Sequence, residues 1–427
     1  MRRGARERTG MLGGLRSVRE ASAGVVWLGM VGLTLALAAC SREGLRADEA
    51  QSHIIIGEMF RARGDFEGAI AEYREAIQIS PTTANAYYRL GRAFHTQNLV
   101  DEAIQHYREA LRYEPYIDPR THDFFRHPFP IPRFQAIVHN ALGNALSDRG
   151  DLDGAVEEYR VALDLNPSYP GAHNNLGVTL KEKGDLDGAI EEFRKALDLK
   201  ATYAPAHYNL ATVFELTKDP DGALAEYQEA VRLKPGVARA HYGLGSVLRA
   251  RGDLDGAIRE FQTAIRLKPD YADAYNNLGV TLKDKGDVNG AITEFRLALH
   301  LEPNHAAAHS NLGTLLQAQG DLDGAIAEYR EAIRVRAGLV QAHINLGNAL
   351  QSKGALDEAI AAFRSALRLK PSDVETHVAL GSALLLREDI GGAIAEFREA
   401  LRLQPAHPVA LRSLDAAIKA QEPKGSP

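Results

Sequence analysis

Over most of its 427 residues this chain repeats itself every 34 positions. The stretch NLGVTLKEKGDLDGAIEEFRKAL at Asn175 returns as NLGVTLKDKGDVNGAITEFRLAL at Asn277, three periods later. A small residue recurs at Gly57, Gly91, Gly143, Gly177, Ala211, Gly245, Gly279, Gly313, Gly347 and Gly381. Every step is 34 except Gly91 to Gly143, which carries 18 extra residues. An alanine follows twelve positions later in each copy, from Ala69 to Ala393, and an aromatic four beyond that, from Tyr73 to Phe397. A unit of this size cannot bury its own apolar face, so the ten copies must stack on one another, each touching only its neighbours.

The repeated residues have mechanical roles. The glycine in KEKGDLDGA suits the left-handed position just past a helix end. The Asp after it is placed to cap a second helix, and the next Asp favours that helix's first turn. Proline closes eight of the ten units, at Pro81, Pro115, Pro167, Pro235, Pro269, Pro303, Pro371 and Pro405, and stops each helix from running on. Small residues let two antiparallel helices approach closely, and the aromatic is expected to fill the gap toward the next unit. Together these residues resemble the tetratricopeptide repeat (TPR), from residue 50 to about 421. The resemblance implies an all-α fold, a right-handed α-solenoid of ten helix hairpins. Units 1–2 occupy 50–117 and units 3–10 occupy 136–407. The segment PVALRSLDAAIKAQ, 408–421, is expected to be a capping helix, and 422–427 a disordered tail.

The first forty residues read as an address. Six arginines lie within residues 1–20, and an apolar run, AGVVWLGMVGLTLALAA, extends from Ala23 to Ala39. A basic start, an apolar middle and small residues at the end describe a secretory signal. At 17 residues the run is short for a membrane span, which needs about 20. It ends in Leu37-Ala38-Ala39-Cys40, which resembles the lipobox of bacterial lipoproteins. That resemblance implies cleavage after residue 39, acylation of Cys40, and a lipidated tether at 40–49. Two or three acyl chains suffice for stable anchoring. Ser41 stands where inner-membrane lipoproteins of enterobacteria often carry Asp, which implies the periplasmic face of the outer membrane. Met11 is an alternative start.

A net charge of −6 gives no basic surface for nucleic acid. The single cysteine excludes a disulfide framework and any cysteine-based metal site. GDLDGA mimics a calcium loop, but its glycine stands fourth where that loop needs it sixth. Histidine recurs at His53, His139, His173, His207, His241, His309, His343 and His377, with Tyr87 and Tyr275 in the other two units. In TPR proteins this position holds a packing aromatic, so packing and a hydrogen bond are expected there instead of a metal ladder. No serine elbow, phosphate loop or dinucleotide fingerprint is present. The chain is read as no enzyme, with no cofactor beyond the acyl groups on Cys40.

In the family, the residue just before the Leu-Gly/Ala pair faces the inner wall of the solenoid. Here it is asparagine in five units: Asn175, Asn209, Asn277, Asn311 and Asn345. One carboxamide can pair with a peptide's C=O and N–H together. The row resembles the asparagine ladder in the TPR arm of O-GlcNAc transferases. It is broken at Gly243 and absent in units 1, 2, 3 and 10. Asn174, Asn276, Tyr208 and Tyr242 stand beside it as further contacts. The alternative is that these amides only bond their own solenoid. The Lys/Arg/Asn set of carboxylate-clamp TPR proteins is not matched. A second candidate is the insertion 118–135, DPRTHDFFRHPFPIPRFQ, with Phe124, Phe125, Phe129, Phe134 and Arg126. Aromatics and arginine suit an interface hot spot, and the alternative is that the rings plug the junction between units. The expected function is a membrane-anchored scaffold for partner polypeptides, serving a cell-envelope complex. The alternative is a substrate-presenting arm for a separate glycosyltransferase or other enzyme.

Overall fold

The computed structural model describes residues 45–113 and 131–421, and every regular element among them is a helix. The leader, Cys40 and the tail after 421 lie outside the described residues, as does the insertion up to residue 130. The described residues divide into two compact bodies, one ending at Asn209 and one beginning at Leu210.

The N-terminal body holds α1 (45–62), α2 (Phe66–Ile79), α3 (Ala84–Thr96), α4 (Val100–Arg112), α5 (Ile131–Asp148), α6 (Leu152–Leu165), α7 (Pro170–Glu182) and α8 (Leu186–Leu199). The division between bodies falls within α9 (Ala204–Leu216). The C-terminal body continues with α10 (Pro220–Leu233), α11 (Ala238–Ala250), α12 (Leu254–Leu267), α13 (Ala272–Lys285), α14 (Val288–Leu301) and α15 (Ala306–Ala318). It ends with α16 (Leu322–Val335), α17 (Val340–Ser352), α18 (Leu356–Leu369), α19 (Val374–Leu386), α20 (Ile390–Leu403) and α21 (Pro408–Gln421). Odd and even helices pair into hairpins, α3 with α4, α5 with α6 and α7 with α8 in the N-terminal body and α11 with α12 through α19 with α20 in the C-terminal body, and α21 lies on α20 as the cap.

The expected punctuation is present atom by atom. Gly64, Gly150, Gly184, Gly252, Gly286, Gly320 and Gly354 end first helices with φ between 80° and 92°. In the hairpins of units 2, 5 and 10 the same place is held by Asn98, Lys218 and Glu388 at φ 60–66°, a conformation that costs a side chain. The following Asp caps the second helix: Asp185 Oδ1 accepts from the Gly188 N–H at 3.0 Å, and Asp321 Oδ1 from Gly324 at 2.9 Å. Leu99 and Ala355 hold the cap position without a side-chain bond.

The recurrent glycine and aromatic are a matched pair. A methyl on Gly177 would stand 2.7 Å from Phe193 Cε1, and one on Gly347 2.5 Å from Phe363 Cε1. The ring therefore lies first against the glycine of its own hairpin, not only toward the next unit. All ten rings, Tyr73 through Phe397, are buried. Exposed ion pairs 30 residues apart join consecutive hairpins, among them Lys285–Asp255 at 2.5 Å, Arg387–Asp357 at 2.9 Å and Lys183–Asp153. Each is worth little alone.

Two boundaries differ from expectation. Helix α1 starts at 45, so half of the expected tether is helical. With no described hairpin before it, α1 leaves Leu45, Ile55, Ile56 and Met59 exposed. Helix α5 starts at Ile131 and takes the last residues of the expected insertion into the third hairpin.

Candidate functional site

First helices touch the first helix of the next hairpin as well as their own partners: α3 meets α5 and α5 meets α7, and in the C-terminal body α11, α13, α15, α17 and α19 meet in turn. These helices form a continuous wall within each body. The asparagines stand on that wall, half-buried at the ladder position and buried at Asn174 and Asn276.

A rule governs their bonding. The ladder amide donates from Nδ2 to the position 35 residues earlier, on the preceding first helix. Asn175 donates to Asn140 Oδ1 at 3.1 Å and also to Asn144 Oδ1 at 2.9 Å. Asn209 donates to Asn174 Oδ1 at 2.9 Å. In the C-terminal body Asn277 donates to the Tyr242 hydroxyl at 2.8 Å, and Asn311 to Asn276 Oδ1 at 2.9 Å. Asn174 and Asn276 in turn donate to Asn175 and Asn277, each at 3.2 Å. Asn345 accepts from Gln341 at 2.8 Å and extends the set. The amides thus bond within their own wall. A carboxamide has two N–H donors and two acceptor lone pairs, so the single inter-helix bond of Asn277 or Asn311 fixes its orientation and uses one of its two N–H groups.

Tyr242 is half-buried, tilted on Tyr271 at 5.1 Å between ring centres, and its hydroxyl pKa is raised by burial and by Asp273. Tyr208 is half-buried on α9. The gap in the row at Gly243 has a steric cause: a Cβ there would stand 2.4 Å from Tyr227 Cζ. Tyr227 occupies that space because its hydroxyl reaches Glu215 Oε2 at 2.5 Å. At the ladder position of unit 2, Arg89 pairs with Glu58 at 2.7 Å. Burial raises the Glu58 pKa, but bonds from Arg61, Tyr73 and Arg89 outweigh it and bring it down to about 2.

The histidine column is tied into the hairpins. Nδ1 of His53, His139, His173, His241, His309 and His377 meets the glutamate 19 residues on, at 2.6–2.7 Å. Nε2 of His173, His241, His309 and His377 meets the carbonyl of the proline six residues before, at 2.9–3.2 Å. Each of these four rings spends both nitrogens on the fold. No group of three metal-ligating side chains occurs among the described residues.

Phe134, expected on a partner-docking loop, sits on α5 at 8% exposure, edge-on to Tyr88 at 5.8 Å. It packs the junction between hairpins and is not presented to a partner. Phe124, Phe125, Phe129 and Arg126 lie outside the described residues. Sequence reasoning missed Asn140 and Asn144, which anchor the start of the row. For Asn140 the signal was the column one residue before the ladder, which holds only asparagine or tyrosine from unit 2 to unit 7: Tyr88, Asn140, Asn174, Tyr208, Tyr242 and Asn276.

Comparison with known proteins agrees with this architecture. The TPR repeat model matches residues 57–98, 143–184, 179–217 and 245–286. Two tetratricopeptide repeat models match 84–117, 202–238, 276–339, 310–374 and 344–408. No curated protein matches the chain. Among solved structures it is similar to a chain of the APC/C hetero-tetramer Cut9–Hcn1, at 16% identity over 86% of this chain and 89% of that one, with a TM-score of 0.49. YrrB, described as a TPR protein with an unusual peptide-binding site, is 31% identical over 40% of this chain and 89% of its own, with a TM-score of 0.36. The pilF protein of Pseudomonas aeruginosa is 22% identical over 48% of this chain and 94% of its own, with a TM-score of 0.45.

Proposed function

Because the chain belongs to the tetratricopeptide repeat family, we propose that it is a membrane-anchored scaffold whose first helices hold extended segments of partner polypeptides. The observation that carries this reading is the amide row. An asparagine fixed by one bond to its neighbour, as Asn311 is to Asn276 at 2.9 Å, presents its remaining donor and acceptor already oriented. Pre-orientation lowers the ordering cost of binding, and contact through backbone groups asks little of the partner's side chains. The protein acts by holding partners, and turnover of a UDP-sugar by the purified chain would contradict that.

The anchor is Cys40, at the end of Leu37-Ala38-Ala39-Cys40, and the setting is a complex of the bacterial envelope at the periplasmic face of the outer membrane. Crosslinking and pull-down from membranes, comparing the wild type with Asn277→Ala plus Asn311→Ala, tests the wall. Partner recovery is expected to fall with the amides. Palmitate labelling of wild type and Cys40→Ser tests the anchor. The substitution is expected to abolish both label and membrane retention, and an unlabelled wild type would refute lipidation while leaving the wall intact.

A further inference from the structure

A cavity of about 380 Å³ opens on the first-helix wall of the N-terminal body, where the asparagine row begins. Its lining includes Tyr88 and Arg92 from α3, Asn140 and Asn144 from α5, and Tyr169 at the start of α7. The polar groups there are unbalanced. Asn140 Oδ1 and Asn144 Oδ1 both accept from Asn175, and Asn144 Oδ1 also accepts from the Tyr159 hydroxyl at 2.7 Å. These bonds fix both amides, the Asn144 oxygen accepting two bonds and the Asn140 oxygen one. Among the described residues no acceptor takes either NH2 group.

Arg92 adds a guanidinium, held 5.7 Å from the Tyr88 ring centre. No carboxylate pairs with it among the described residues. Asp148, on the facing helix, is taken by His95 at 2.7 Å. The cavity therefore offers amide N–H donors and a positive charge in a protein whose net charge is −6.

We infer that this cavity receives a carboxylate, the side chain of a glutamate or aspartate in the bound segment, and so sets the specificity of an otherwise backbone-reading wall. The inference rests on the proposed peptide-binding role of that wall. A planar carboxylate matches the guanidinium fork, and the two amide NH2 groups complete its hydrogen bonding. Tyr88 and Tyr169 flank the site. Asn175 connects the cavity to the row through its bonds to Asn140 and Asn144.

The test uses the full chain from residue 40 and pools of degenerate decapeptides, capped at both ends, with the central residue fixed as Glu, Asp, Gln, Asn, Lys or Phe. A parallel set carries a free terminal carboxylate. The Glu and Asp pools are expected to bind about tenfold tighter than Gln and Asn, the scale of a hydrogen bond to a charged group. Arg92→Gln should erase that preference, with its thermal melt matching the wild type and residual binding of the Gln pool unchanged. Equal binding of all capped pools, or an acidic preference that survives Arg92→Gln, overturns the inference while the wall stands. Preference confined to free-terminus pools overturns the side-chain assignment. Absence of binding by every pool overturns the wall and the inference together.

Discussion

Replacing Gly354 with alanine isolates the torsional cost of the helix ends. Gly354 sits at φ 83°, and a methyl group built on it meets nothing within 4 Å, so no clash contributes. Left-handed backbone costs a residue with a Cβ about 1–2 kcal/mol. Alanine returns about 0.4–1 kcal/mol by restricting the unfolded chain. The net loss is about 1 kcal/mol, equivalent to a roughly fivefold larger open population. Glu388 occupies the same place at φ 66°, so Glu388→Gly should gain a similar amount. Asn98, at φ 62°, tolerates the conformation, and Asn98→Gly should change little. Repeat proteins open locally, so the assay is hydrogen exchange resolved by mass spectrometry over α17–α20, backed by urea melts. A neutral Gly354→Ala, or a destabilising Glu388→Gly, would refute the reasoning.

Other outcomes follow from the same geometry. Gly347→Ala places a methyl 2.5 Å from Phe363 Cε1 and should cost more than Gly354→Ala, about 1–3 kcal/mol in melts. Gly243→Asn should fail to complete the amide row and should destabilise α11, because Tyr227 fills the space; Tyr227→Ala in the same chain should restore part of the loss on calorimetry. Glu58 has a depressed pKa of about 2 against an ordinary 4.5, so its contribution is full above pH 4.5 and disappears as the pH falls toward 2. Exchange protection of α1–α3 in the wild type should exceed that of Glu58→Gln by about 2 kcal/mol at pH 7, after allowing for partial exposure, and the two should converge near pH 2.

What could be read from the sequence was local. Asp185 capping Gly188, Gly286 ending α13, and the glycine–aromatic spacing are set within one unit, and ten copies make each of them visible. The bonding of the row could not be read the same way. Whether Asn311 reaches Asn276 depends on the step between hairpins, and sequence spacing does not state that distance. The break at Gly243 was visible, but its cause, Tyr227 turned toward Glu215, involves three residues on different helices. Phe134 looked like part of a Phe/Pro loop because its neighbours at 124, 125 and 129 belong to one. Its own position falls on the first turn of α5, where burial against Tyr88 decides its role.

A photo-crosslinking amino acid placed at Asn348, exposed on α17, and separately at Ala361, exposed on α18, compares the first-helix face with the second-helix face of a single hairpin. Irradiated in intact cells, the α17 position is expected to give discrete partner adducts that the α18 position lacks. Adducts of equal yield from both faces, or from α18 alone, would show that partners do not bind where the asparagines stand.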